Sequence, residues 1–192
     1  MTEKEKAAID QLRSVAYVCV EGCHTPSTPK KFKKAKSQFL RDFTVDITKN
    51  PEYLIQLLEI AYKEKTDPHD IENVLYVANT FGVLSEEFVD ILIILLQETW
   101  HYGHESIVWA FQKIKSPRTV DILYKTALAR FPYLDYDETG HDSLRLHCIW
   151  ALGEINTPGA KEKLKLLTQS DDPVTKEKAT HMLQFGDIGP ML

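Results

Sequence analysis

The chain has 192 residues, 43% of them hydrophobic, with 23 Lys and Arg against 28 Asp and Glu, giving a net charge of −5 and a pI near 5.8. That length can bury one sizeable core, and the acidic balance argues against a dedicated nucleic-acid binder, which carries a basic surplus. No apolar run reaches the roughly 18 residues of a membrane span, Met1–Lys6 leads into no signal-type apolar core, and three cysteines fit a reducing cytosol better than a disulfide framework, so a cytoplasmic protein is expected.

Taken in chain order, residues 3–20 are predicted to form a helix, with Ala7, Ile9, Leu12, Val15, Ala16 and Cys19 near helical spacing. Two Pro and one Gly make 21–29 a loop. A Lys-rich helix is expected from about 30 to 48. Pro51 opens the next, since a first-turn proline gives up no needed N–H, and that helix runs to about Lys65. Asp67-Pro68 starts another that reaches Gly82. Ser85 with Glu86 and Glu87 begins a helix over 85–100, by an N-cap hydroxyl and first-turn acids. It is apolar on most of its circumference, with one polar strip of Glu87, Asp90, Gln97 or Glu98, and His101. No stretch shows sustained two-residue alternation, so no strand is expected.

The second half repeats itself. Val89-Asp90-Ile91-Leu92 recurs as Val120-Asp121-Ile122-Leu123 after 31 positions, and Trp109-Ala110 recurs as Trp150-Ala151 after 41. Each tryptophan sits in an apolar helix ending, followed by a polar turn and a proline: Ile114-Lys115-Ser116-Pro117 and Ile155-Asn156-Thr157-Pro158. The ten-residue excess is an insertion at 131–142, and a final half-unit runs from Asp172-Pro173-Val174 to near Gln184. Repeated helix–turn–helix units imply stacked helix pairs, an architecture that makes partner-gripping surface more often than a catalytic pocket. Both Trp109 and Trp150 are expected to be largely buried.

These features resemble HEAT repeats of the short bacterial kind, also seen in phycobilin-lyase-type proteins. The match rests on Asp172-Pro173-Val174, on 150–160, and on Leu164 and Leu167. The resemblance implies an all-α fold, an α–α superhelix or HEAT-like solenoid of nine or ten helices in one domain over 1–192. Residues 1–66 would be divergent N-terminal helices, 67–184 the repeats and 185–192 a tail. In that fold the second helix of each pair lines the concave face. The implied helices are 85–100, 116–129 and 159–170, with strips of Glu87, Asp90 and His101, then Arg118, Asp121, Tyr124 and Lys125, then Glu162 and Lys165. A narrower resemblance rests on Trp100–Ile107, Pro117–Asp121, Tyr133–Asp137 and Cys148–Gly153. Those stretches look like small bacterial HEAT-repeat proteins that serve as immunity proteins of polymorphic-toxin systems, which implies a cytoplasmic antidote that covers one toxin domain.

Several constellations could carry chemistry and are outweighed. HEAT-repeat deoxyhypusine hydroxylases hold two irons through several His-Glu pairs; this chain has one, His104-Glu105, and the equivalent position one unit on is Arg145-Leu146. His101 and His104 are better read as satisfying a helix start, with Glu105 in its first turn. His101-x-x-His104-Glu105 has the wrong spacing and order for a zinc protease. Cys19, Cys23 and His24 have no second ligand pair for zinc. Neither a nucleophile elbow nor a phosphate-cradling Gly-rich loop occurs. The only strong basic run, Lys30, Lys31, Lys33, Lys34 and Lys36, reads first as a solvated helix face; a HEAT-like DNA glycosylase would use such a patch to grip DNA, and an acidic partner would also suit it.

The 131–142 insertion is the strongest functional candidate. It holds Asp135, Asp137, Glu138 and Asp142 with Phe131, Tyr133 and Tyr136, and no Lys or Arg. Aromatics among acids suit a basic partner such as a toxin that itself holds nucleic acid; the alternative is a loop whose aromatics pack on neighbouring helices. The expected function is therefore non-catalytic protein binding, with no catalytic, cofactor or metal residues. The partner-binding set is Tyr133, Asp135, Tyr136, Asp137, Glu138, Glu87, Asp90, His101, Arg118, Asp121, Tyr124 and Lys125, and the partner a cognate toxin domain with a basic surface rather than a membrane or nucleic acid. A glycosylase or hydroxylase and a scaffold or adaptor are the competing classes.

Overall fold

Thr2 and Glu5 form a reciprocal cap. The Thr2 hydroxyl accepts the Glu5 N–H at 3.3 Å and the Glu5 carboxylate accepts the Thr2 N–H at 2.8 Å, satisfying two donors of the first turn. From there α1 runs over Glu3–Ala16. In the computed structural model the described residues are 1–20, 23–26, 28–134 and 140–185, with backbone alone over 17–20 and 23–26.

α1 stops short of the predicted Val20, and the predicted loop contains a second departure. Tyr17–Val20 forms β1, antiparallel to β2 at Cys23–Pro26, with Tyr17 opposite Pro26 and Val20 opposite Cys23. Tyr-Val-Cys-Val is rich in aromatic and β-branched residues that favour a pleat, yet four residues are too few to display alternation. α2 then spans Pro29–Asp42, ending before the predicted 48. Phe43 is already extended, and the Asp46 carboxylate binds the Thr48 N–H and hydroxyl, a local turn that competes with helix. α3 (Glu52–Glu64) begins after Pro51 and ends at left-handed Lys65. α4 (Asp70–Phe81) ends at Gly82, whose φ of 68° suits a residue without Cβ.

These elements form one compact unit, Met1–Val83. Its core is built from Ile9 and Leu12, Phe39 and Phe43, Leu54 and Leu58, and Ile71, Val74 and Val77. Two acids are buried with it. Glu5 accepts hydrogen bonds from Thr2 and from the Tyr53 hydroxyl at 2.7 Å, and Asp70 meets the Met1 amine, Lys6 and the Thr66 hydroxyl. Burial opposes charge on Glu5, but the bonds from Tyr53, Thr2 and Thr44 outweigh it and hold the carboxyl below its ordinary value. Burial, then the Glu5 contact, pushes Tyr53 up to about 12.

Leu84–Leu192 forms the second unit, so the chain divides at 83/84 with no linker composition to announce it. Here the predicted helix over 85–100 is shorter: a 3-10 turn at Glu86–Phe88 leads into α5, Val89–Leu95. Ser85 occupies the N-cap position but makes no side-chain cap. Then come α6 (His104–Ile114), a 3-10 turn at Pro117–Thr119 with α7 (Val120–Leu128), α8 (Gly140–Ile155), α9 (Pro158–Leu167) and α10 (Pro173–Phe185). The described residues thus hold ten α-helices and one two-stranded hairpin.

The two copies of the repeated turn have one conformation. Lys115 and Asn156 are both left-handed, at φ 57° and 53°. Ser116 Oγ then accepts the Arg118 N–H and Thr157 Oγ1 the Ala160 N–H, each at 3.3 Å, with proline at the first helical position. Asp172 before Pro173 caps α10 likewise, accepting the Thr175 N–H at 2.8 Å. α6 and α8 pack side by side: Gln112 donates to Glu154 and Lys115 pairs with Glu154 at 2.9 Å, while Glu105 lies near His147, so the two helices run parallel. α8 meets α10 at Gly153, where a Cβ would sit 2.0 Å from Met182 Cε. The core is Phe88, Leu92, Leu95, Ile107, Val108, Phe111, Leu123, Ile149, Leu152, Leu164 and Leu167. Trp109 and Trp150 are not in it: both are half-buried, because the residues flanking them on each helix, Val108 with Ala110 and Ile149 with Ala151, take the inward positions.

Candidate partner-binding face

Three alternate helices of the second unit, α5, α7 and α9, carry charged side chains that the fold ties together. Arg118, at the start of α7, bonds Asp90 on α5 and reaches Glu86 at 3.5 Å. One turn on, Asp121 pairs with Lys163 of α9 at 2.9 Å, and Lys163 also lies over the Tyr124 ring at 5.1 Å. Lys163 holds the Asp121 carboxyl below its ordinary value, and Asp121 raises Lys163 in return. The result is a chain of alternating charge, Asp90–Arg118 and Asp121–Lys163, crossing α5, α7 and α9. Asp90 and Asp121 remain 73% and 77% exposed while paired, so the row lies in solvent.

Of the predicted strips, Glu87, Asp90, Arg118, Asp121 and Lys125 are exposed and Tyr124 is half-buried. Glu162 and Lys165 are also exposed, but the side chain that joins α9 to the row is Lys163. A pattern read along one helix does not carry its partner on another: Lys163 stands 42 positions beyond Asp121, the same separation as in the Gln112–Glu154 bond.

His101 does not belong to this face. It is fully buried, donates from Nε2 to the Leu95 carbonyl at 2.9 Å and accepts the Gly103 N–H on Nδ1 at 3.0 Å. His104, also fully buried, donates from Nε2 to the Glu98 carbonyl at 2.8 Å. His101 thus serves a helix start as expected, since Gly103 is the N-cap residue of α6, and both rings also satisfy carbonyls at and just beyond the end of α5. The carbonyls can only accept, so each ring carries a proton on Nε2, and the two rings stack 4.5 Å apart. Burial first, and then the neighbouring His101, lowers His104 to about 4.

Tyr133, expected as an interface anchor, donates its hydroxyl to His104 Nδ1 at 2.9 Å, and Phe131 packs on the His104 ring at 4.1 Å. Phe131 and Leu134 are buried. The first residues of the insertion thus brace the histidine corner, as the packing alternative expects. Asp135, Tyr136, Asp137 and Glu138 lie outside the described residues.

Other candidate chemistry finds no assembly. Burial pushes the Cys148 thiol well above its ordinary value, which makes a poor nucleophile. The side chains of Cys19, Cys23 and His24 lie outside the described residues, and among the described ones no group of three or more His, Cys, Asp and Glu could hold a metal. No described helix is long and apolar enough to cross a membrane. Compared with family models, curated proteins and solved structures, the chain matches none.

Proposed function

We propose that this chain is a non-catalytic protein-binding module, acting as an immunity protein that covers a cognate bacterial toxin domain. The observation that carries the reading is the charge row Asp90–Arg118 and Asp121–Lys163 across α5, α7 and α9, with both acids largely in solvent and Tyr124 beside it. Side chains already held in place by their neighbours lose less freedom on binding, and an aromatic flanked by charges supplies both an anchor and steering. Glu87 and Lys125 extend the row, and the acids at 135–138 would add attraction for a basic partner. In the repeat architecture that the sequence resembles, such a row lies on the concave face; a specific interface needs about 800 Å² per partner, which three helices and an inserted loop can supply.

The test is co-purification with the product of the adjacent gene, followed by titration calorimetry of variants. Asp121→Lys with Tyr124→Ala should weaken the complex at least about tenfold, with Asp121→Lys acting mainly on association and Tyr124→Ala on dissociation. Tyr136→Ala with Asp137→Lys tests the insertion separately. Unchanged affinity in both folded double variants would remove this face and the loop from the interface.

A further inference from the structure

The first unit carries a groove that the charge row does not use. It lies open between α1 and α2, with a volume of about 400 Å³, and is lined by Ala8, Gln11, Leu12 and Val15 on one side and by Lys31, Lys34, Ala35, Gln38 and Phe39 on the other. We propose that this groove docks an acidic amphipathic helix of a protein partner.

The spacing of the two walls argues for a helix. Residues 8, 11, 12 and 15 of α1, and 31, 34, 35 and 38 of α2, each follow the i, i+3, i+4, i+7 rule. Each helix therefore offers one continuous ridge along the groove, and two such ridges leave between them the trough into which a third helix sets its own apolar stripe. Ala8, Leu12 and Phe39 close the floor, and Val15 and Ala35 are partly open to an incoming side chain. From residue 8 to residue 15 the ridge covers about two helical turns, roughly 10 Å. The one aromatic of the floor, Phe39, is 2% exposed and stacked on Phe43, so it offers no open face for a base, which a groove for single-stranded nucleic acid needs beside its cations.

Charge argues for an acidic occupant. The α2 segment PKKFKKAKSQFLRD carries six cations and a single acid, the terminal Asp42. Asp42 receives the Gln38 amide at 2.7 Å. Lys36 turns inward to the Thr80 carbonyl and the Phe81 ring, but Lys30, Lys31, Lys33 and Lys34 are exposed and form no ion pair among the described residues. The unit as a whole is balanced, with twelve Lys and Arg against twelve Asp and Glu, so α2 concentrates positive charge that the rest of the unit offsets elsewhere. Lys31 and Lys34 stand on the groove wall itself, with Lys30 and Lys33 just outside it, positions from which ammonium groups can reach carboxylates flanking an apolar stripe.

The probe is a fluorescein-labelled peptide of about 18 residues, alanine-rich, with leucines at i, i+3, i+4 and i+7 and glutamates flanking them, long enough to hold helix in water. Anisotropy with the full chain should show binding that weakens as salt passes physiological strength, where the Debye length is about 8 Å. Amide shifts should map to α1 and α2. Lys31→Glu with Lys34→Glu, both exposed and so compatible with folding, should weaken it at least about tenfold. Ala35→Trp should abolish it by filling the groove, at unchanged helical circular dichroism. Equal binding of a scrambled peptide, tighter binding to duplex DNA or phosphatidylglycerol vesicles, or shifts outside α1 and α2 would each overturn the proposal, as would no binding at about 100 μM, a concentration that still detects weak contacts.

Discussion

The two units use charge in opposite ways. In Met1–Val83 the acids that matter are buried: Glu5 beneath Tyr53 and Thr2, and Asp70 under the Met1 amine and Lys6, each tying the chain's first turn to a helix far along the sequence. In Leu84–Leu192, with eleven Lys and Arg against sixteen Asp and Glu, the pairs that join α5, α7 and α9 keep their acids, Asp90 and Asp121, largely in solvent. Buried pairs leave a bare charge when broken and so constrain the fold, whereas exposed pairs contribute little to stability and stay available to a partner. The position of a charge pair, more than its existence, separates structure from interface here.

The largest effect that can test the packing of the repeats is in the second unit's core. Phe111 of α6 is fully buried and Trp150 of α8 only half so. Phe111→Ala should cost about 3–5 kcal/mol, and Trp150→Ala no more than about 2, since part of its surface never leaves water. Urea denaturation followed by circular dichroism measures both. Equal losses would mean that Trp150 is a core residue after all, and that the inward positions of α8 are assigned one residue off.

A second contrast separates the units by acid. His104 is held at about 4 against an ordinary 6.5. Between those values the unfolded chain binds the extra proton, so the second unit loses stability as pH falls from 6.5, by roughly 3 kcal/mol at the limit. Burial lowers His147 in the same sense. Glu5, depressed from 4.5, stabilises the first unit above that value and releases its contribution only as pH falls below it. The three tryptophans, Trp100, Trp109 and Trp150, all belong to the second unit and report it alone. Tryptophan fluorescence should therefore show a melting temperature falling from pH 6.5 towards 4 while the first unit holds. His104→Gln, which keeps a donor for Glu98 and gains no proton, should flatten that slope. A slope that survives the substitution would move the acid sensitivity elsewhere.

The local turns are the most legible part of the sequence: the polar-residue-then-proline stretches at 115–117 and 156–158 share backbone and cap. What sequence reasoning missed has three physical causes. Helix ends depend on local competitors, as when the Asp46 turn stops α2, and the β1–β2 hairpin is too short for a period. Burial on a given face depends on which side a neighbour packs, which hid His101 and half-exposed Trp109 and Trp150. Cross-helix partners depend on which helices pack together, which no single helix's pattern carries, so Lys163 joins the row where Glu162 and Lys165 are expected.

The smallest expected effect is the sharpest test of the contrast between buried and exposed charge. Arg118 bonds Asp90 and Glu86, yet its side chain is 50% exposed and those of the acids 73% and 53%. Water and salt already screen these charges, and holding a long guanidinium in one place costs rotamer freedom. Arg118→Ala should therefore change stability by no more than about 0.5 kcal/mol, with the difference vanishing in high salt. Ser116 guards the helix start independently, through the bond from the Arg118 backbone N–H that the substitution leaves intact. If thermal melts show a loss above about 1.5 kcal/mol, the row is holding α5 to α7, its residues are structural, and the partner face must be sought on another surface. If the melt is unchanged while partner affinity falls, the row is free of structural duty and its conformation serves binding alone.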